Sequence, residues 1–133
     1  LKEFGLSKRE IISRKREIEV LFQLGKTFYS SHKKIKFLVY LTENQFESGV
    51  RVLFSVPKKI GKAFWRNRIK RLMREIYRHN KNELPVLQQN QTLLIAFLPY
   101  SIYQKRFPNV KLIDIEKEFL EFGEIIRKSE LIS

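Results

Sequence analysis

Residues 50–79 read Val50-Arg-Val-Leu-Phe-Ser-Val-Pro57-Lys-Lys-Ile-Gly61-Lys-Ala63-Phe-Trp-Arg-Asn-Arg-Ile-Lys-Arg-Leu-Met-Arg-Glu-Ile-Tyr-Arg-His79. The opening alternates, with Val50, Val52, Phe54 and Val56 on one side and Arg51, Leu53 and Ser55 on the other. A period of two predicts a strand with one face on a core. Pro57 stops it, because proline offers no N–H to a ladder. From Ala63 to His79 the period changes to that of a helix. Trp65, Ile69, Leu72 and Ile76 share one side with Met73 at its edge, and Asn67, Lys70, Arg71, Arg74 and Arg78 fall opposite. Arg66 and Arg68 flank the boundary. A strand, a Lys-Lys-Ile-Gly loop and a long amphipathic helix are therefore expected in succession.

The flanks extend the pattern. Residues 35–42 are β-branched, aromatic and aliphatic, which predicts another strand. The polar residues 43–49 read as a turn, so the two strands are expected to form a hairpin. Further upstream, Ser13 is expected to cap a helix carrying Ile18, Leu21 and Phe22 at helical spacing, with Gly25 as its stop. Downstream, Pro85 punctuates the exit from the basic helix. Residues 92–98 form a near-continuous apolar run, which predicts a central strand buried on both faces and ended by Pro99. After Pro108, Asp114 is expected to cap a last helix with Ile115, Phe119, Phe122 and Ile126 along one stripe. The expected order is α-β-β-α-β-α, an α/β (α+β) class.

The 133 residues suit one domain, residues 1–133. With 0 Cys there is no disulfide framework, thiolate metal site or cysteine nucleophile, and a reducing, cytoplasmic setting is expected. No apolar run reaches the roughly 18 residues that span a bilayer, and residues 1–10 lack the apolar stretch of a signal peptide. The formal net charge is +13. A folded domain that tolerates this self-repulsion calls for a polyanionic partner: RNA, DNA, an anionic membrane or an acidic protein. The charge is also segregated. Residues 1–36 carry 10 basic and 4 acidic side chains. Residues 58–82 carry 10 basic ones (Lys58, Lys59, Lys62, Arg66, Arg68, Lys70, Arg71, Arg74, Arg78 and Lys81) against Glu75 alone. Residues 107–133 reverse the sign, which predicts a solvated acidic helix at the end and a binding face in the middle.

On the basic helix, Glu75 is placed to pair with Arg71 at i,i+4, a contact worth a few tenths of a kcal/mol. The remaining like charges destabilise an isolated helix, and phosphates relieve them. The planar guanidinium fork donates two hydrogen bonds to one anion. Gly61 permits close backbone approach, and the helix N-terminus adds its own partial positive charge.

The stretch Ser55-Val-Pro-Lys-Lys-Ile-Gly-Lys-Ala-Phe-Trp-Arg-Asn-Arg-Ile-Lys-Arg-Leu-Met-Arg-Glu75 resembles the signature of the bacterial ribonuclease P protein component. That signature is a Ser-Val-x-Lys-Lys-x-x-Gly-x-Ala segment running into Arg-Asn-Arg-x-Lys-Arg and Leu-x-Arg-Glu. Arg66-Asn67-Arg68, Lys70-Arg71 and Arg74 match it residue for residue. Weaker likeness extends to Leu21-Phe22-x-x-Gly25 and to Phe37-Leu38-Val39-Tyr40. Pro57 stands where many members have Ser, Lys62 where Asn is common, and Ile18 where an aromatic is frequent.

The resemblance implies a two-layer sandwich with a mostly antiparallel sheet and a left-handed βαβ crossover, against the general right-handed rule. It implies a ribonucleoprotein subunit whose partners are the ribonuclease P RNA and precursor tRNA. Mg²⁺ held mainly by that RNA would drive removal of the 5′ leader. RNA would be bound by Lys58, Lys59, Lys62, Arg66, Asn67, Arg68, Lys70, Arg71, Arg74 and Arg78. The leader would enter a cleft between the first helix and the sheet, at Ile18, Phe22, Lys36, Leu38 and Tyr40, where aromatic faces stack on bases without reading sequence. Lys33, Lys34 and Lys36 near the strand entry could follow its phosphates. No catalytic residue, metal ligand, membrane contact or obligate protein partner is expected in this chain.

Four other readings compete with this one. A protein-only nuclease could use His32 and His79 as acid and base, but nothing in the sequence brings them together, and Glu43, Glu47, Glu75 and Glu83 form no ligand pattern. A major-groove DNA reader would need more base-edge partners than Asn67. A membrane-surface helix would need an exposed apolar wedge, whereas Trp65 falls on the core side. A non-catalytic RNA-binding protein of another ribonucleoprotein remains the alternative.

Overall fold

The computed structural model describes residues 6–43, 49–84 and 87–129. Its elements run α1 (Lys15–Leu24), β1 (Lys26–Tyr29), β2 (Ile35–Glu43), β3 (Gly49–Phe54), α2 (Ala63–His79), β4 (Gln91–Pro99) and α3 (Leu112–Lys128), with 3-10 turns at Lys8–Glu10, Lys58–Ile60 and Lys81–Glu83. Pro85 and residues 44–48 of the expected turn lie outside the described residues.

The apolar run of β4 organises the sheet. Thr92 through Phe97 are buried on both faces, so β4 lies inside the sheet, in the order β1-β2-β4-β3. This overturns the expected hairpin. β2 and β3 do not pair; each lies against β4, β2 antiparallel with Val39 opposite Ile95 and β3 parallel with Val52 opposite Ile95. A strand buried on both faces fits only the interior, and it separates two neighbours that each carry polar residues. β1 went unforeseen. It is a mostly exposed four-residue edge strand without apolar alternation, paired antiparallel to β2.

The hand of the β3-α2-β4 crossover follows from Phe97. Its side chain joins the core beneath α2 and α3, and its carbonyl accepts from Ser55 N–H at 3.0 Å just past β3. For an L-residue in a strand seen from the side-chain face and running upward, the carbonyl points right. β3 therefore lies to the right of β4 with the helix in front, and the crossover is left-handed, as the resemblance implied and against the usual rule.

Alternation divides the sheet into two packing faces. Ile35, Phe37 and Val39 of β2, Val52 and Phe54 of β3, and Leu93, Ile95 and Phe97 of β4 face α2 and α3. Phe97 is the hub, stacked on Phe119 at 4.6 Å between centroids and on Phe54 at 5.4 Å, and edge-on to Phe37 at 5.7 Å. α2 contributes Trp65, Ile69, Met73, Ile76 and Tyr77, while Leu72 is only partly buried. The buried stripe is thus turned slightly from the expected one. α3 contributes Ile115, Phe119, Phe122 and Ile126, as its spacing predicted. On the other face α1 covers Leu38, Leu94 and Ala96 with Leu21 and the partly buried Ile18.

The caps differ from expectation. α1 begins at Lys15 with Arg14, not Ser13, as its N-cap residue. Gly25 does end α1, but at φ −68°, outside the left-handed region. A Cβ there would lie 2.4 Å from the Leu21 carbonyl oxygen, so close approach explains the glycine. Asp114 sits in the first turn of α3, where its carboxylate accepts from Lys111 N–H at 2.7 Å; Lys111 is the N-cap residue.

α1 is held by a buried ion pair. Arg51 projects from β3 on the α1 side, and its Nε and Nη2 donate to Glu17 Oε2 and Oε1 at 2.5 and 2.9 Å. Its remaining N–H groups reach the carbonyls of Arg9 and Ile11. Glu17 is 0% and Arg51 3% exposed. Removing one partner strands a buried charge. Glu17→Ala should therefore destabilise the fold by about 3–5 kcal/mol, and Glu17→Leu with Arg51→Met by markedly less. Urea unfolding of the two variants checks this.

Candidate nucleic-acid interface

The polar side of α2 is directed to solvent. Asn67, Arg68, Arg71 and Arg74 are exposed, and Arg66, Lys70 and Arg78 are half-buried. The one acid of this stretch does not neutralise the middle of the row. Glu75 pairs with Arg78 and His79, both at 2.9 Å, rather than with the expected Arg71. Lys70 and Arg71 have no carboxylate partner among the described residues. Arg74 lies over the Phe54 ring, 6.0 Å from its centroid.

Two arginines of the motif also have internal partners. Arg66 Nε donates to Gly61 O at 3.0 Å, and Arg68 Nε donates to Val110 O at 2.6 Å. Each retains further guanidinium N–H groups for an anion. Trp65 is fully buried, with its indole N–H donating to Phe107 O at 2.8 Å. The tryptophan thus offers no wedge to a membrane. Among the described residues no helix is long and apolar enough to cross one.

The residues expected to form a cleft are partly brought together. Ile18, Leu38 and Tyr40 meet in the cluster between α1 and the sheet, with Leu53 and Leu98 beside them. Leu38, at 5% exposed, belongs to its floor, and Tyr40 is half-buried. Phe37 and Val39 point to the opposite core, as alternation predicted. Phe22, on the same helix as Ile18, is 46% exposed. Lys36 lies nearer the start of β2, with Nζ 5.9 Å from the centre of the Tyr100 ring. Tyr100 in turn meets Tyr29 edge-on at 5.0 Å. Neither tyrosine was singled out from the sequence. The aromatic residues that follow Pro99 were the available signal.

The two histidines have separate surroundings. His32 lies beside Glu118 of α3, at 3.9 Å, whereas His79 is bonded to Glu75 of α2. No group of three or more His, Cys, Asp or Glu side chains capable of holding a metal is formed among the described residues.

α3 is not merely a solvated acidic face. Glu118 is buried and Oε1 accepts from Ser30 Oγ at 2.7 Å, His32 N–H at 3.0 Å and Lys34 N–H at 3.4 Å. Glu121 accepts from Ser31 N–H at 3.0 Å and Ser31 Oγ at 2.9 Å. Two carboxylates thereby clasp the β1–β2 turn, in which Lys33 adopts a left-handed φ of 58°. The clasp sets where Lys33 and Lys34 project.

The family model described as Ribonuclease P matches residues 6–111. The chain belongs to the ribonuclease P protein family. A ribonuclease P protein component of Chlorobium phaeobacteroides is 36% identical over 96% of this chain and 91% of its own length. One from Fusobacterium nucleatum is 30% identical over 87% and 93%. The solved ribonuclease P protein of Thermotoga maritima shares the fold, with a TM-score of 0.64, 24% identity, and coverage of 87% of this chain and 96% of that one. Membership places the chain among the protein components of an endoribonuclease complex of tRNA processing.

Burial alone would raise the Glu118 carboxyl, but hydrogen bonds from Ser30, His32 and Lys34 and the Lys34 ammonium hold it below the usual carboxylate range. A depressed folded value means the stabilisation is present above the unfolded pKa and lost as pH falls through the folded one. Glu118→Gln should cost about 1.5–3 kcal/mol near pH 7, and the gap to wild type should narrow below about pH 4.5. Urea unfolding across that range measures it.

Proposed function

We propose that the exposed row of α2 binds the catalytic RNA of ribonuclease P, and that this chain serves as the protein subunit which helps that RNA remove the 5′ leader of precursor tRNA. The observation that carries the reading is the state of the row. Arg71 and Lys70 have no acid to pair with among the described residues, and Glu75 is engaged by Arg78 and His79. Buried packing fixes the opposite side of the helix, so the cations are presented on a rigid support. Phosphate contacts of this kind position an RNA without reading its sequence. Lys58, Lys59 and Lys62 extend the row beyond its N-terminal end.

The space beside α1 is the proposed seat of the leader. Phe22 and Tyr40 offer aromatic surface, Ile18 and Leu38 form an apolar floor, and Lys36 supplies a cation at one end. A single strand stacks on such surface whatever its bases. The side chains of this chain bind and orient; bond cleavage is assigned to the RNA. Mg²⁺ belongs to that RNA in this reading, and no step is routed through a protein-held ion.

Arg71→Ala should weaken binding of a bacterial ribonuclease P RNA while leaving the thermal midpoint within a few degrees of wild type. Arg68→Ala should lower both, because it also loses the bond to Val110 O. Filter binding beside a thermal melt separates the two. If about six phosphates are engaged, wild-type affinity should fall roughly a thousandfold between about 50 and 200 mM salt. Phe22→Ala should reduce the affinity of the reconstituted enzyme for precursor tRNA and spare that for mature tRNA. Unchanged RNA affinity in Arg71→Ala would remove the interface from α2, and equal losses for both tRNAs would remove the leader from the cleft.

A further inference from the structure

The strongest feature left unexplained is a groove of about 1030 Å³ beside the start of α2. One wall is the Lys58, Lys59 and Lys62 segment. The other is the connection between β4 and α3, which brings up Tyr103, Lys105 and Arg106. Among the described residues its lining holds five cations and no carboxylate. Lys105 and Arg106 are distant from the basic helix in sequence, and only the fold sets them against it.

Gln104 ties the walls together at the groove, through its backbone and its side chain. Gln104 N–H donates to Ile60 O at 2.8 Å, and Gln104 Oε1 accepts from Lys62 N–H at 2.7 Å. Gly61 makes the approach possible. A Cβ on it would lie 2.5 Å from the Trp65 ring and 3.1 Å from Gln104 Cβ, so a side chain would push the walls apart. The groove is preorganised, yet its electrostatics are unfavourable as they stand. Lys62 holds the N-cap position of α2, no side chain caps the helix there, and the first turn has no acid. A cation at the positive end of a 17-residue helix is destabilising until an anion joins it. Tyr103, 45% exposed, adds an aromatic face. The Arg106 guanidinium lies 6.0 Å from the Phe107 ring centre, which orients it.

We propose that this groove binds a stretch of single-stranded RNA, with phosphodiesters held by Lys58, Lys62, Lys105 and Arg106 and a base stacked on Tyr103. The chemistry follows from the lining: spaced point charges and one π-face suit an unpaired strand, whereas a duplex buries its base faces. The proposal rests on the reading of this chain as an RNA-binding subunit and adds the β4–α3 connection to its binding surface. The strand could come from the catalytic RNA or from the substrate leader, which share this chemistry.

The test uses the full chain with a labelled oligouridylate, then the catalytic RNA, then precursor and mature tRNA in the reconstituted enzyme. Lys105 and Arg106 are exposed, and the anchoring bonds come from Gln104, so the double variant Lys105→Ala/Arg106→Ala keeps the fold. It should weaken oligouridylate binding about tenfold and reduce the slope of log affinity against log salt by about 1.4, near 0.7 for each lost phosphate contact. Tyr103→Ala should weaken it about tenfold, and Tyr103→Phe should restore it, because stacking needs the ring and not the hydroxyl. A loss confined to the catalytic RNA, or to precursor over mature tRNA, supports the groove and names its source. Wild-type affinity and salt slope in the double variant for every RNA would overturn it. If Arg71→Ala leaves catalytic-RNA binding intact while the loop variants weaken it, the α2 reading fails and the groove stands. Weakening by Arg71→Ala alone rejects the groove and spares that reading.

Discussion

The buried pair of Glu17 and Arg51 is the contact that fixes α1 and the segment before it on the sheet. β3 would otherwise direct a guanidinium into an apolar layer, and α1 a carboxylate. Each is tolerable only because the other is there, and because the Arg9 and Ile11 carbonyls take the remaining donors. A hydrophobic contact would tolerate sliding; a two-point guanidinium–carboxylate fit sets one orientation. That orientation determines how much of the sheet α1 covers. Leu38 and Leu94 lie beneath it, while Phe22 and Tyr40 retain exposed surface beside it.

α2 has two unlike duties, and the 3.6-residue period keeps them apart. Trp65, Ile69, Met73, Ile76 and Tyr77 bury one side against the sheet and α3. Burial of roughly this many large side chains provides several kcal/mol that the charged side does not. The helix can therefore hold neighbouring cations in repulsive proximity. Their repulsion is an unspent tendency to bind anions, strongest at the uncapped N-terminal end.

The acidic helix α3 shows how composition misleads about purpose. Its excess of carboxylates suggested a solvated face, and Glu116 and Glu124 are indeed exposed. Glu118 and Glu121 instead gather the backbone and hydroxyl donors of residues 30–34. The helix thus helps fix a lysine-bearing turn that Tyr100 and Ser101 N–H also hold, through the Lys34 and Lys33 carbonyls. A residue count could not separate the two kinds of acid, because they differ only in what lies opposite them.

Local periodicity determined much of this protein. The change from alternation at Val50–Phe54 to helical spacing after Ala63, the apolar stripe of α3 and the doubly buried β4 were all legible, since each reports a side chain's relation to its own near neighbours. So were the family signature and the cationic side of α2. Strand partnership was not: the adjacency of β2 and β3 in the chain suggested a hairpin, and only packing placed β4 between them. The edge strand β1, the Glu17–Arg51 pair, the Glu118 clasp and the meeting of Lys105 and Arg106 with Lys58 and Lys62 were decided by the tertiary structure. β1 pairs with its neighbour in sequence and lacked only the apolar alternation that would have marked it; the others are contacts between residues far apart in sequence, and no spacing rule records which distant groups the fold will bring within a few ångströms.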